Sequence, residues 1–198
     1  MNIRTFLTSL AVCCAAMILA AMTVSPQDPA EMESAWAEAM EKFAAPSVEH
    51  QMLAKRVGQW KASAKFWMDP NGPPQVHEGE STMEMIMDGR YLFQQYKMNF
   101  NGMSFEGIGL TAHDRMKGEY QTVWIDNMAT GILWATGKET HGVFVYEGTA
   151  PDMMTGKYVS SRTVERMVND DTIVFEVYTP GPNGKEFKSM EITYTRVD

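Results

Sequence analysis

A chain of 198 residues, 44% of them hydrophobic, has enough apolar material for one domain with a sizeable core plus a terminal extension. Its net charge of -8, with no run of Lys or Arg to follow a phosphate backbone, argues against nucleic acid as a partner. Both cysteines, Cys13 and Cys14, lie near the N-terminus, so the body of the chain has no thiol, disulfide or thiolate metal site and depends on packing.

Arg4, an apolar stretch rich in Leu, Ala and Met, and the small residues Ala20 and Ala21 read together as a secretory signal peptide over residues 1–21. The expectation is an exported protein, periplasmic or extracellular, with no membrane span once the signal is removed. Phe6 to Val24 is also nearly long enough to cross a bilayer, which takes about 17–25 residues, so an uncleaved anchor is the alternative. The organisation expected beyond it is a helical segment over 22–57 and a β-barrel domain over 58–198.

Asp28-Pro29-Ala30-Glu31 combines an N-cap, a proline at the first helical position and a carboxylate three residues after the cap. Met32, Trp36, Met40 and Phe43 continue at helical spacing as one apolar stripe. Such a stripe serves either to bind a membrane or partner or, more simply, to pack on its own domain. Pro46 ends this helix, and Ser47 caps a second, shorter one that buries Met52, Leu53 and Val57 and stops at Gly58.

From Gly58 the grammar changes to strands. Trp60, Ala62, Ala64, Phe66 and Met68 alternate with Lys61, Ser63 and Lys65, as a half-buried strand requires. Turn signals then recur at short intervals, among them Asp69-Pro70-Asn71-Gly72, Asp88-Gly89, Asn101-Gly102, Lys117-Gly118, His141-Gly142 and Asn169-Asp170. Between them lie runs rich in Val, Ile, Thr, Phe, Tyr and Trp. No helical segment here is long enough for a parallel crossover. The expected fold is mainly β, an antiparallel up-and-down barrel of about ten strands with one or two N-terminal helices, since closure removes exposed edges. About eight strands leave room for side chains or one small ligand, and ten should leave a cavity unless large side chains plug it.

Gly58-Gln59-Trp60 on the first strand and Tyr194-Thr195-Arg196 on the last resemble the calycin superfamily, which contains the lipocalins and fatty-acid-binding proteins. The resemblance implies a structural latch at the closed end of the barrel, with Arg196 packed over Trp60. His50-x-x-Leu53, Gly58-Gln59-Trp60, Gly107-Ile108-Gly109, Asp114, Trp124-Ile125-Asp126 and the ending Gly184-Lys185-Glu186-Phe187-Lys188 through Arg196 are similar to the bacterial family called domain of unknown function 1579. That likeness implies an exported calycin-like barrel with no assigned activity. One departure stands out, since the family pattern places an aromatic residue where this chain has His113.

Trp124 and Asp126 share a strand face with Tyr120 and Thr122. If that face points inward, a carboxylate beside an indole could hold a ligand's polar head or act as a general base; otherwise Asp126 is an exposed residue before a turn. Asp114 and His113 offer an acid and a base, but neighbours on a strand point to opposite faces. Arg162 alternates with Arg166 on a late strand and would bind a ligand carboxylate if inward. Met83, Met85 and Met87 alternate on one strand, where thioethers could hold Cu(I). The outer two stand about 13 Å apart at the rise of a strand, which favours an adaptable cavity lining instead.

The four histidines, His50, His77, His113 and His141, make no zinc pattern, so no metal site is expected. No cofactor is expected either, with haem on a single histidine left open by analogy with other calycin-like barrels. The leading expectation is a barrel whose lumen binds a small hydrophobic or amphipathic molecule through Trp124, Asp126, Tyr120, Asp114 and Arg162. An enzyme or haem-binding protein on the same scaffold is the alternative.

Overall fold

Residues 28–153 and 155–197 are described by the computed structural model, and the expected signal peptide with its two cysteines lies outside the described residues. The chain divides into two compact units, Met1–Ala44 and Ala45–Asp198. In the first, helix α1 (Pro29–Ala39) starts where Asp28 Oδ1 accepts the Ala30 N–H at 3.0 Å. Pro29 sits at a position whose missing N–H costs the helix nothing. The helix passes into a π-helical turn, Met40–Ala44, before Pro46 stops it.

The second unit opens with helix α2 (Val48–Ala54), whose cap is Ser47. The Ser47 backbone N–H donates to His50 Nδ1 at 3.0 Å, so histidine does here what Glu or Gln does in the usual capping box. Ten strands follow: β1 (Gly58–Phe66), β2 (Gln75–Ile86), β3 (Tyr91–Phe100), β4 (Met103–Asp114), β5 (Glu119–Asp126), β6 (Leu133–Thr140), β7 (Val143–Asp152), β8 (Lys157–Asn169), β9 (Thr172–Pro180) and β10 (Glu186–Val197). Each pairs antiparallel with the next, and β10 returns to β1, giving a closed up-and-down barrel.

This connectivity puts the β2–β3, β4–β5, β6–β7 and β8–β9 turns at one end, which α2 covers. Leu53 is fully buried there, Tyr120 donates to the Glu49 carbonyl at 3.3 Å and Arg115 to the Ala45 carbonyl at 2.9 Å. The compact unit Ala45–Asp198 includes α2 together with the barrel strands. The remaining turns surround the opposite, open end. Met68, expected on the buried face of the first strand, lies beyond it: β1 stops at Phe66, and Met68 is 77% exposed ahead of the proline-rich turn.

The seam between first and last strand pairs Trp60 with Arg196. The Arg196 guanidinium carbon lies 4.1 Å from the Trp60 ring centroid, a contact worth about 0.5–2 kcal/mol depending on desolvation. Arg196 also donates to the backbone carbonyls of Val57, Lys55 and Asp170 at 2.6, 3.0 and 2.9 Å. Trp60 Nε1 donates to the Arg56 carbonyl at 3.0 Å. Gly58 adopts φ +146°, and a Cβ there would collide with the Arg196 guanidinium, so glycine is required on both counts.

The floor carries a pH dependence. Burial, with help from nearby His113, holds the His50 pKa below its usual value; Glu49 opposes this weakly, and Arg115 and Arg90 act with His113. The folded state thus favours neutral His50 while the unfolded chain protonates near pH 6.5, so this contribution is complete above about pH 6.5 and shrinks as pH falls through the folded value. Urea melts should show stability falling between pH 7.5 and 5.5. His50→Gln, which keeps a capping acceptor, should flatten that slope, and an unchanged slope would assign it elsewhere.

Candidate functional site

Alternation along each strand decides which side chains enter the barrel. Inward from β3 come Leu92, Gln94, Tyr96 and Met98; from β5, Thr122, Trp124 and Asp126; from β8, Ser161, Thr163 and Glu165; from β10, Met190, Ile192 and Tyr194. They surround a cavity of about 480 Å³. Phe66, Phe100, Asp126 and Met128 stand toward its open end, and Arg56, Tyr146 and Glu165 toward its floor.

The cavity stays open because glycines take up the bulk of the aromatic rings. A Cβ on Gly107 would overlap the Trp124 ring, and one on Gly109 would press on both Trp124 and Gln94. The Gly107-Ile108-Gly109 motif is thus a socket that lets the indole lie against the wall instead of across the lumen. Trp124 Nε1 donates to Asp126 Oδ2 at 2.9 Å. Asp126 Oδ1 accepts the backbone N–H groups of Met128 and Ala129 at 2.9 and 3.0 Å. Both readings of Asp126 therefore meet in one residue, which faces inward and also caps the turn after β5. With three donors already on its two oxygens, it holds the indole and the turn in place.

The polar centre of the lumen lies deeper. Arg56, from the turn between α2 and β1, enters the barrel with its guanidinium carbon 4.0 Å from the Phe144 ring centroid. Its Nε lies 2.7 Å from Glu165 Oε1. Burial raises the Glu165 pKa against the pull of Arg56. Burial works against the Arg56 charge too, but Glu165, with Tyr146 beside it, outweighs that and raises its pKa. The Tyr146 hydroxyl is pushed upward mainly by burial. Nearby, Gln94 Nε2 donates to Ser81 Oγ at 3.0 Å and to Tyr194 Oη at 3.3 Å, tying β2, β3 and β10 together across the lumen wall.

The other residues expected at a site disperse. Tyr120 is 3% exposed and belongs to the floor, its ring centroid 5.0 Å from that of Phe144 and 4.8 Å from that of His113; burial moves its pKa to about 12. Asp114 caps the β4–β5 turn at the covered end, accepting from the Met116 and Lys117 N–H groups at 2.9 and 3.1 Å. Arg162 lies on the outer face, where it forms a fork with both carboxylate oxygens of Glu186 and covers the Tyr178 ring. Met83 lines the cavity, Met85 packs on the core, and Met87 is 67% exposed in the following turn. The three sulfurs do not share one place.

His77 packs against Phe66 and Phe100 near the open end, His50 and His113 meet under α2, and His141 lies in a turn. Among the described residues, no three His, Cys, Asp or Glu side chains gather as a metal site, and no helix is long and apolar enough to cross a membrane.

Arg56 and Glu165 are the functional candidates that sequence reasoning missed. Arg56 looks like the basic end of a helix, and Glu165 lies between two arginines that draw attention to the wrong face. The available signal was phase, because Ser161, Thr163, Glu165 and Met167 form the strand face opposite Arg162, Val164 and Arg166.

Over residues 45–196 the sequence matches the model of a family described as protein of unknown function, DUF1579. The chain belongs to this family. The matched region and the compact barrel unit start at the same residue, so the family domain includes α2. No curated protein matches the sequence. Among solved structures, a redesigned β-barrel aligns at 11% identity with a TM-score of 0.41, covering 75% of this chain and 95% of that one. A protein of unknown function from the DUF3598 family of Nostoc punctiforme aligns at 9% identity with a TM-score of 0.23, covering 77% of this chain and all of its own.

Proposed function

We propose that this DUF1579 protein is an exported binding protein that takes up one small apolar or amphipathic molecule in its lumen. The observation carrying this reading is the cavity of about 480 Å³, which is within the roughly 300–1,000 Å³ common for small-molecule sites. Its walls are mostly apolar, and the thioethers of Met83, Met98 and Met190 adapt to an irregular tail. Burial against the apolar wall would supply the affinity, and inward polar side chains such as Thr122, Thr163, Glu165 and Tyr194 would orient the bound molecule. Export rests on Arg4 and the apolar stretch that follows it.

Val177 lines the cavity, and Val177→Trp would put an indole into it. Displacement of an uncharged fluorescent alkyl probe, read beside thermal melts, should show saturable binding by the native chain. The variant should lose most of that binding and keep its melting temperature within a few degrees. Equal binding by both proteins would place the probe outside the barrel and overturn the lumen reading.

A further inference from the structure

Donors and acceptors share the lining of the lumen, with the Asp126 and Glu165 carboxylates beside the hydroxyls of Thr122, Thr163 and Tyr194. Polar chemistry alone therefore does not choose a ligand, and shape has to. The best-defined surface is the indole of Trp124. It lies along the β4 backbone, where a Cβ on Gly107 would overlap its six-membered ring and one on Gly109 would come within 3.3 Å of Cε3. Its Nε1 donates to Asp126 Oδ2 at 2.9 Å, which fixes the ring in its own plane. Among the described residues the ring paired with Trp124 is that of Tyr96, 6.4 Å away between centroids and inclined at 62°, so no side chain lies parallel to the indole as a stacked partner. Trp124 nevertheless faces inward, lines the cavity and keeps part of its surface exposed there. In the closed strand order β10 lies as far from β5 as the barrel allows, so Met190 and Ile192 stand on the opposite wall.

From this arrangement we infer that the lumen selects a molecule with a planar ring system, which stacks on the indole of Trp124 and turns its other face toward Met190 and Ile192. The inference rests on the lumen-binding reading and adds the shape of the bound molecule. Offset aromatic rings attract one another beyond what their contact area supplies, and a thioether packs well against a ring. A rigid ring also keeps its internal freedom on entry, whereas a flexible chain has to give up rotamers. The Gly107-Ile108-Gly109 socket then does more than save space, because it orders the aromatic platform before any ligand arrives.

Naphthalen-2-ylmethanol and decahydronaphthalen-2-ylmethanol share a carbon skeleton and a hydroxyl, and only the first is flat and aromatic. Each competes against the fluorescent alkyl probe on the full chain and on Trp124→Leu. Comparing the two proteins cancels the difference in hydrophobicity between the alcohols. The preference for the aromatic alcohol over its saturated twin should be about two- to tenfold greater in the native chain, the range for a stacked aromatic pair. In NMR spectra of the native chain, the Trp124 indole N–H signal should move upfield under the ring current of the aromatic alcohol and move far less with the saturated one. That reading needs no variant and carries the test if Trp124→Leu does not fold. An equal preference in both proteins, or an indole signal that responds alike to the two alcohols, would overturn the stacking inference and leave lumen binding intact. A folded protein whose alkyl probe neither alcohol displaces would also overturn it, and a folded protein that binds nothing would overturn both.

Discussion

Trp60→Ala should lower stability by about 3–5 kcal/mol, the range for removing a buried aromatic side chain. Trp60 is 1% exposed, and its indole is fixed from two sides, by the Arg56 carbonyl on Nε1 and by the Arg196 guanidinium over the ring. Truncation would remove the packing of the covered end and leave Arg196 stacked on nothing. Native domains are stable by about 5–15 kcal/mol in total, so this one change would consume a large fraction of the margin. Urea melts provide the measurement. Trp60 is not among the residues lining the cavity, so the folded fraction should bind the alkyl probe as the native chain does. A variant as stable as the native protein but unable to bind would move Trp60 from structure to recognition.

The second large effect concerns the buried ion pair. Arg56→Met leaves Glu165 in the lumen without its cation, which should cost about 3–5 kcal/mol, the usual consequence of removing one partner of a buried pair. The double variant Arg56→Met with Glu165→Leu should recover most of that loss, because two apolar side chains need no counter-charge. Melts of the native chain, both single variants and the double variant close a cycle that isolates the coupling between the two residues. A cycle showing no coupling would mean that each group is satisfied independently. It would also remove Arg56 as the support of Glu165.

Much of the barrel could be read from the alternation of Trp60, Ala62, Ala64 and Phe66 and from turn residues such as Asp88-Gly89 and Asn101-Gly102. A period of two marks an inner and an outer face, and hairpin-forming turns leave few other topologies. Alternation does not say which face is inner when both carry polar groups. That limit explains β8, where Arg162 attracts attention as a carboxylate binder yet pairs with Glu186 outside, while Glu165 faces the lumen. It also explains Asp126, whose place before a turn and beside Trp124 was legible but whose hydrogen bonds to Trp124, Met128 and Ala129 were not. Arg56 was out of reach for another reason. Its position depends on α2 closing the barrel end, a tertiary arrangement with no local signature. The glycines of Gly107-Ile108-Gly109 could be recognised as a motif, although their purpose appears only once Trp124 lies against them.

The seam between β1 and β10 also bears on how the chain folds. Gln59 pairs with Val197 and Phe66 with Met190, so the final ladder joins the two most distant stretches of the barrel sequence. Loop closure of that length must precede any reward from the contacts, which makes topologies rich in non-local pairing slow. Until the last strand docks, β1 and β9 are bare edges, and a meander in that state can recruit strands from a neighbouring chain. Arg196 reaches the Val57, Lys55 and Asp170 carbonyls only when docking is complete, so its three hydrogen bonds report the finished barrel. Substitutions there should act mainly on how fast an assembled molecule opens.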